Sequence, residues 1–246
     1  MKETKGTLLH RFSQLLPTLT LSKFTNAAKE KERKNMTTHK FILCIAVIVL
    51  VWIPVQASAQ LTLDDFTSGH YVKRLDTVNA QDIHNAALPP NSPLGAARQT
   101  TFQIGSNPYA QWSTFDLGKG ICIVDGGFGV TPALSIFYGE TLSGTEVPLG
   151  LNLAEYSGFQ LNFAGLSTSE ALLAIITVWP HDNGVPHSLE LVLGPEANPT
   201  SVGFPFSTFS AGGLSQTDLS DIDYIFIQVQ DGVSASWGVT VFQAVN

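Results

Sequence analysis

Aromatic side chains are the residues of this 246-residue chain best suited to holding a small ligand. Trp112, Trp179 and Trp237 stand with Tyr109, Tyr138 and Tyr156 in its later part. A ring of this kind packs on the C–H face of a pyranose while nearby amides and carboxylates take the hydroxyls. Trp179 ends an apolar run beside a polar turn, where a ring can keep one face toward water. It is therefore the first candidate for sugar stacking, with Trp112 and Tyr138 next. The competing place for every one of these rings is the core, since aromatic residues are often buried.

Carboxylates are the second resource. Asp64-Asp65, Asp125 and the group Asp218, Asp221 and Asp223 carry hard oxygen ligands of the kind calcium takes. Their spacing matches no EF-hand loop and no nonapeptide repeat, so any calcium is expected to be structural, at Asp64 and Asp65, where acids gather without a general base. A solvated acidic surface, or capping of a short turn by Asp218 and Ser220, accounts for the same residues without a metal. His181, Asp182 and His187 flank a turn and could meet around a transition metal, although a solvated turn explains them equally well. No Gly-x-Ser-x-Gly elbow and no Ser, His and Asp set in recognisable context occurs. Acids are too numerous for the presence of two of them to point to a glycosidase. No catalytic residue is assigned, and the chain is not expected to be an enzyme.

The elements that position these residues read as short strands. Gly, Pro, Ser, Thr and Asn punctuate apolar stretches, and no window carries a sustained helical stripe. Phe159, Leu161 and Phe163 alternate with Gln160 and Asn162, the pattern of a half-buried strand. Residues 171–179 are apolar on both faces and 187–193 alternate; the Asn183-Gly184 between them is a hairpin signal, so the two are expected to pair antiparallel. Further strands are expected at 61–66, 99–104, 111–115, 120–124, 133–138, 223–230 and 236–244, with residues 67–97 as a long loop around Pro89, Pro90 and Pro93. So many strands in one chain predict an all-β, two-sheet antiparallel sandwich.

Composition divides the chain into three parts. Residues 1–35 are basic and polar and form no core. Residues 36–59 contain thirteen successive apolar residues, Phe41 to Ile53, preceded by Lys40 and followed by Ala57-Ser58-Ala59. This is the layout of a signal peptide cut between Ala59 and Gln60, the run being shorter than the roughly 20 apolar residues a membrane-spanning helix needs. An uncleaved N-terminal anchor is the other reading. Counted from Met36 the signal is 24 residues long, an ordinary length, which favours Met36 over Met1 as the start. Residues 60–246 are expected to be one secreted domain, extracellular or periplasmic, with no transmembrane segment. That part holds four basic residues, Lys73, Arg74, Arg98 and Lys119, against 17 of the chain's 20 acids, a formal net charge of −13. Such a surface repels phosphate backbones and anionic lipid, which argues against nucleic acid and membrane as partners. Cys122, its single cysteine, leaves no internal disulfide.

Several short motifs carry a resemblance: Leu63-Asp64-Asp65-Phe66, Gly95-Ala96-Ala97-Arg98, Tyr138-Gly139, Val202-Gly203-Phe204-Pro205-Phe206-Ser207-Thr208-Phe209, and Asp218 to Ile225. Together they resemble the galactose-binding-domain-like jelly rolls, which include many carbohydrate-binding modules and the sandwich domains of secreted bacterial proteins of the PEP-CTERM type. The resemblance implies a jelly-roll sandwich with a glycan or cell-surface polymer as partner. The last strand lacks the acidic pair that often helps hold structural calcium in that group. The sorting tail of the PEP-CTERM type does not follow Asn246, so release rather than sorting is expected. A non-catalytic domain that binds a neutral glycan through exposed aromatics is the first functional expectation; an extracellular structural or adhesive protein is the alternative, and a secreted hydrolase comes last. The signal reading predicts that exported protein begins at Gln60. N-terminal sequencing or intact mass should show that terminus, and a mature species retaining residues 41–53 would contradict it.

Overall fold

Alternating burial, period two, runs through most strands of the described residues. The computed structural model describes residues 59–182, 184–195, 201–210 and 212–246; the basic extension and nearly all of the expected signal peptide lie outside them. Within the described residues the strands are β1 (Gln60–Asp64), β2 (Tyr71–Leu75), β3 (Gln81–Ala87), β4 (Ala97–Ser106), β5 (Ser113–Gly118), β6 (Ile121–Asp125), β7 (Thr131–Glu140), β8 (Gly158–Ser167), β9 (Leu172–Pro180), β10 (His187–Leu193), β11 (Ser201–Pro205), β12 (Ile222–Gln230) and β13 (Ser236–Val245). One short helix, α1 (Gln216–Ser220), follows a 3-10 turn at Phe206–Thr208. Its first turn is closed by a capping box: Ser215 Oγ accepts from the Asp218 backbone N–H, and the Asp218 carboxylate accepts from the Ser215 N–H.

These strands form two antiparallel sheets, the sandwich the sequence predicts. One has seven strands, in the order β11-β8-β13-β6-β5-β2 with β1 added beside β13; the other has six, in the order β10-β9-β12-β7-β4-β3. β1 and β6 share one edge of β13, β1 beside Phe242–Val245 and β6 beside Ser236–Val239. The hairpin between 171–179 and 187–193 is present as β9 and β10, with His187 opposite Val178.

The core lies between the sheets. Leu172, Ala174, Ile176 and Val178 of β9 and Ile225, Ile227 and Val229 of β12 face Phe159 and Leu161 of β8 and Phe242 and Ala244 of β13 in one apolar cluster. Each such aliphatic or aromatic side chain contributes about 1.5–3 kcal/mol on leaving water. Trp237 is part of this core, at 3% exposure.

One polar group is set into the core and ties the sheets together. Asp64, at the end of β1 in the seven-stranded sheet, accepts from Arg98 Nη1 at 2.5 Å and from the Tyr138 hydroxyl at 2.8 Å, both from the six-stranded sheet. Its other oxygen takes the Phe66 backbone N–H at 2.8 Å. Arg98 spends Nη2 on the Ser68 carbonyl at 2.7 Å and lies over the Phe66 ring. The side chain of Arg98 is fully buried, so its charge is sustained by Asp64 rather than by water.

The expected loop at 67–97 is a correction, because it contains β2 and β3. Their sequences carry charge, Lys73, Arg74, Asp82 and His84, since both are edge strands and a charged edge resists pairing with other chains. They close the rim of the sandwich with polar contacts across the sheets. The Tyr71 ring stacks on His84 at 3.8 Å, its hydroxyl donates to Asp82 at 2.6 Å, and Lys73 pairs with Asp82 at 2.7 Å. Hydrogen bonding to that carboxylate pushes the Tyr71 phenol up to about 12. The Val202–Phe209 motif opens with β11, which adds to β8 from Ser201↔Asn162 to Pro205↔Gly158.

The buried pair yields a stability prediction. Arg98→Met strands the Asp64 carboxylate in the core and should cost about 3–5 kcal/mol, whereas Arg98→Met combined with Asp64→Asn should recover most of that loss. Urea unfolding of the three proteins measures this, and equal stability of the single variant and the parent would contradict it.

Candidate functional site

Strands β9, β12, β7 and β4 bury aliphatic residues and Tyr138 on one face, so the residues between them must point out. On β12 the outward set is Tyr224, Phe226, Gln228 and Gln230, between buried Ile225, Ile227 and Val229. On β9 it includes Ile175 and Trp179, on β7 Ser135 and Phe137, and on β4 Gln99 and Thr101.

Register joins these positions into rows across the whole sheet. One row runs Ser188, Thr177, Phe226, Phe137, Gln99, Asn85, each opposite the next on the neighbouring strand. The adjacent row runs Glu190, Ile175, Gln228, Ser135, Thr101, Ile83. Toward the other end, Trp179 stands opposite Tyr224. Neighbouring strands lie about 4.8 Å apart, so a row across six strands is about 24 Å long. The rings of Phe137 and Tyr224 stack at 5.8 Å with their planes 18° apart. Phe137, Trp179, Tyr224 and Phe226 are all half-buried and are interleaved with amides and hydroxyls. Thr177 and Ser188 share a hydrogen bond of 2.9 Å at one end of the row.

The other end is acidic. β7 and β12 part beyond the Tyr138–Ile225 pair, and the segment after β7 fills the fork. Val147 N–H donates to the Gly139 carbonyl, Leu149 N–H to Asp223, and Leu151 exchanges bonds with Ile222. Gly139 has φ +112° and lies under the Tyr224 ring, where a Cβ would come within 2.4 Å of a ring carbon, so only glycine leaves the ring its place. A register shift at Ala97/Arg98 accompanies this turn of the backbone, and Glu140 is thereby aimed at the outer face, where Gln99 Nε2 donates to Glu140 Oε2 at 3.2 Å. Burial, and then the charge of Glu146 opposite it, hold the Glu140 carboxyl above the usual range. Burial, then Glu146 and Asp223, likewise raise the Tyr224 phenol.

The three rings expected to stack on sugar do not converge. Trp179 is half-buried on the outer face of the six-stranded sheet. Tyr138 is a correction: it is fully buried between the sheets with its hydroxyl on Asp64, because the inward position next to Arg98 needs a donor to that carboxylate. Trp112 precedes β5 in the other sheet, 47% exposed, with the Arg74 guanidinium 4.4 Å from its ring centre. Near it, Tyr109 and Phe128 pair at 5.2 Å in the loops flanking β5 and β6.

The expectation of calcium at Asp64 and Asp65 meets a different geometry. Asp64 is buried and takes Arg98, Tyr138 and the Phe66 N–H, while Asp65 is exposed and accepts from the Thr67 N–H and hydroxyl. Asp64 points into the core and Asp65, just past the end of β1, to solvent, so these two carboxylates do not close on one ion. His181 and His187 also take separate partners. His181 Nδ1 lies 3.1 Å from both Asp223 oxygens, whereas buried His187 donates from Nδ1 to the Ser210 carbonyl at 2.9 Å. That hydrogen bond with Asp223 raises the His181 imidazole. Among the described residues no group of three or more His, Cys, Asp or Glu could hold a metal ion.

Phe137, Tyr224, Phe226, Gln99, Asn85 and Glu140 were not singled out in the sequence. The legible signal was on β12, where aliphatics occupy one set of alternate positions and aromatics with glutamines the other.

No family model and no curated protein sequence matches the chain. Among solved structures it is similar to the family 11 carbohydrate-binding module of the cellulosomal cellulase Lic26A-Cel5E of Clostridium thermocellum, at 12% identity over 78% of this chain and 96% of that one, with a TM-score of 0.37. It is also similar to the agarase AgWH50C, at 12% identity over 76% of this chain and 24% of that longer one, TM-score 0.38. A third is TmCBM61 solved with β-1,4-galactotriose, at 9% identity over 78% and 88% of the two chains, TM-score 0.25. Likeness at this level says nothing of what this chain binds, and the PEP-CTERM part of the sequence resemblance finds no counterpart in it.

Proposed function

We propose that the domain is an exported, non-catalytic module that binds an extended glycan along the outer face of the six-stranded sheet. The observation that carries this reading is the continuous strip of half-buried rings, Trp179, Tyr224, Phe226 and Phe137, interleaved with Gln99, Gln228, Thr177 and Ser188. Rings of this kind present apolar faces to the C–H surfaces of pyranoses, and the amides and hydroxyls between them match sugar hydroxyls in both donor and acceptor capacity. The strip crosses five strands, so it suits several linked sugars better than one. The acidic balance of residues 60–246 disfavours sulfated or uronic polymers and suits a neutral or cationic one. No helix among the described residues is long and apolar enough to cross a membrane, and export rests on the signal-like segment before Gln60.

Isothermal titration against cello-, xylo-, manno-, galacto- and chito-oligosaccharides tests the proposal. At least one series should bind, with affinity rising with chain length. Trp179→Ala and Tyr224→Ala should each weaken it roughly tenfold or more, as removal of an aromatic anchor does. Both substitutions should cost less stability than the roughly 3–5 kcal/mol of a core aromatic, and Trp112→Ala should bind as the parent does. Silence across all the sugars, or loss of binding confined to Trp112→Ala, would overturn the assignment to this face.

A further inference from the structure

The ladder between β9 and β12 is irregular at the end of the strip where Trp179 meets Tyr224. Pro180 stands opposite Ile222 and Trp179 opposite Tyr224, so Asp223 is one residue more than the pairing needs. In such a bulge two residues, Asp223 and Tyr224, oppose the single residue Trp179, and a side chain is re-aimed. Ile222 and Ile225 on either side are fully buried, which leaves the outer face to Asp223 and Tyr224. The His181 backbone N–H donates to the Asp221 carbonyl at 2.9 Å, so the ladder runs one pair further and His181 falls on the same face as Trp179. There its Nδ1 lies 3.1 Å from both Asp223 oxygens.

The two members of this pair are not equally open. The Asp223 side chain is 17% exposed and that of His181 59%, so the carboxylate is the anchor and the imidazole the accessible group. An ionised carboxylate only accepts hydrogen bonds, so Nδ1 carries the hydrogen that joins them. This fixes the other ring nitrogen: Nε2 is a bare acceptor while the ring is neutral and an N–H donor once it is charged. Two residues along a strand span about 7 Å, so a sugar laid on Trp179 brings its hydroxyls to His181. The charged groups around the imidazole are Asp182 in the turn after β9 and Asp221 and Asp223 where α1 gives way to β12. The Asp223 hydrogen bond, followed by these charges, raises the imidazole, while the neighbouring Tyr224 phenol is itself raised and stays neutral at physiological pH.

Resting on the glycan reading above, we propose that His181 Nε2 is a hydrogen-bonding contact to the sugar stacked on Trp179, and that glycan binding strengthens as pH falls because the charged ring donates where the neutral ring cannot. Asp223 is the positioning residue: the bulge aims it, and it holds the ring with Nε2 turned away from the carboxylate. A hydrogen bond from a charged donor is roughly twice as strong as one between neutral groups, which sets the expected gain at about fivefold.

Titration calorimetry with cello-, xylo-, manno- and galacto-hexasaccharides, which carry no group that titrates in this range, tests the proposal at about pH 5.5 and about pH 8.5, on either side of the histidine transition. A hexasaccharide that binds the parent should bind about fivefold more tightly at the lower pH, and titrations in two buffers of different ionisation enthalpy should show proton uptake on binding. His181→Gln should bind equally at both pH values with no proton uptake, and Asp223→Asn should move the transition to lower pH. Circular dichroism melts at both pH values confirm that the variants fold. Equal affinity of the parent at the two pH values, or a pH dependence that survives His181→Gln and so belongs to another group such as Glu140, would overturn the proposal and leave the aromatic strip standing. Silence of all four sugars at both pH values would also overturn it, and would take the glycan reading with it only if the chito-oligosaccharides are silent as well.

Discussion

The buried contact of Arg98 and Tyr138 with Asp64 sets the register on which everything else in the domain depends. Asp64 belongs to one sheet, Arg98 and Tyr138 to the other, and the two residues that meet it are Cα partners on β4 and β7. Once both point inward, period two leaves no choice for their neighbours: Gln99 and Phe137 must point out, and they do so opposite each other. A slip of one residue on β4 would bury Gln99 and drive the guanidinium into solvent, and one on β7 would bury Phe137 and turn the Tyr138 hydroxyl away from Asp64. Through β12 the same constraint reaches Phe226 and, across β9, Thr177. The orientation of the outer strip is thus a consequence of an ion pair inside the sandwich.

Such a pair adds little net stability, since the cost of taking two charges out of water offsets most of their attraction. Its effect is to make wrong registers expensive. The apolar cluster provides the gross driving force, but Leu, Ile and Phe side chains tolerate exchange of position better than a charged pair does. The same logic explains the rim, where Tyr71, Asp82, Lys73 and His84 join the edges of the two sheets through directed contacts in place of apolar packing. At the opposite end of β7 the constraint is released once, at Gly139, and that single turn of the backbone lets Glu140 reach the outer face.

The alternation that betrays half-buried strands was plain in the sequence at 159–163 and 187–193, and the Asn183-Gly184 turn signal paired β9 with β10 correctly. β2 and β3 were missed because edge strands carry the charges that also mark loops. Of the candidate site, the partial exposure of Trp179 was legible from its place at the end of an apolar run. Tyr138 and Phe137 were not separable, being adjacent aromatics of which only one can face in. The residue that decides between them is Asp64, 74 positions away in the chain, and nothing local records it. Asp64 itself read as a metal ligand because its partner, Arg98, lies 34 positions further on. Glu140 was hidden in the same way, since its orientation depends on a shift in register that no alternation shows.

The claim that the outer face of the six-stranded sheet is the binding surface is tested most directly by locating a bound oligosaccharide in solution. Aromatic chemical shifts, recorded by NMR on the labelled domain during titration with a glycan hexamer that binds, report the position of each ring. The account predicts that the resonances of Trp179, Tyr224, Phe226 and Phe137 move together and saturate with one affinity, while those of Trp112, Tyr109 and Phe128 stay in place. Movement confined to Trp112, Tyr109 and Phe128, with the sheet rings unchanged at saturation, would contradict it.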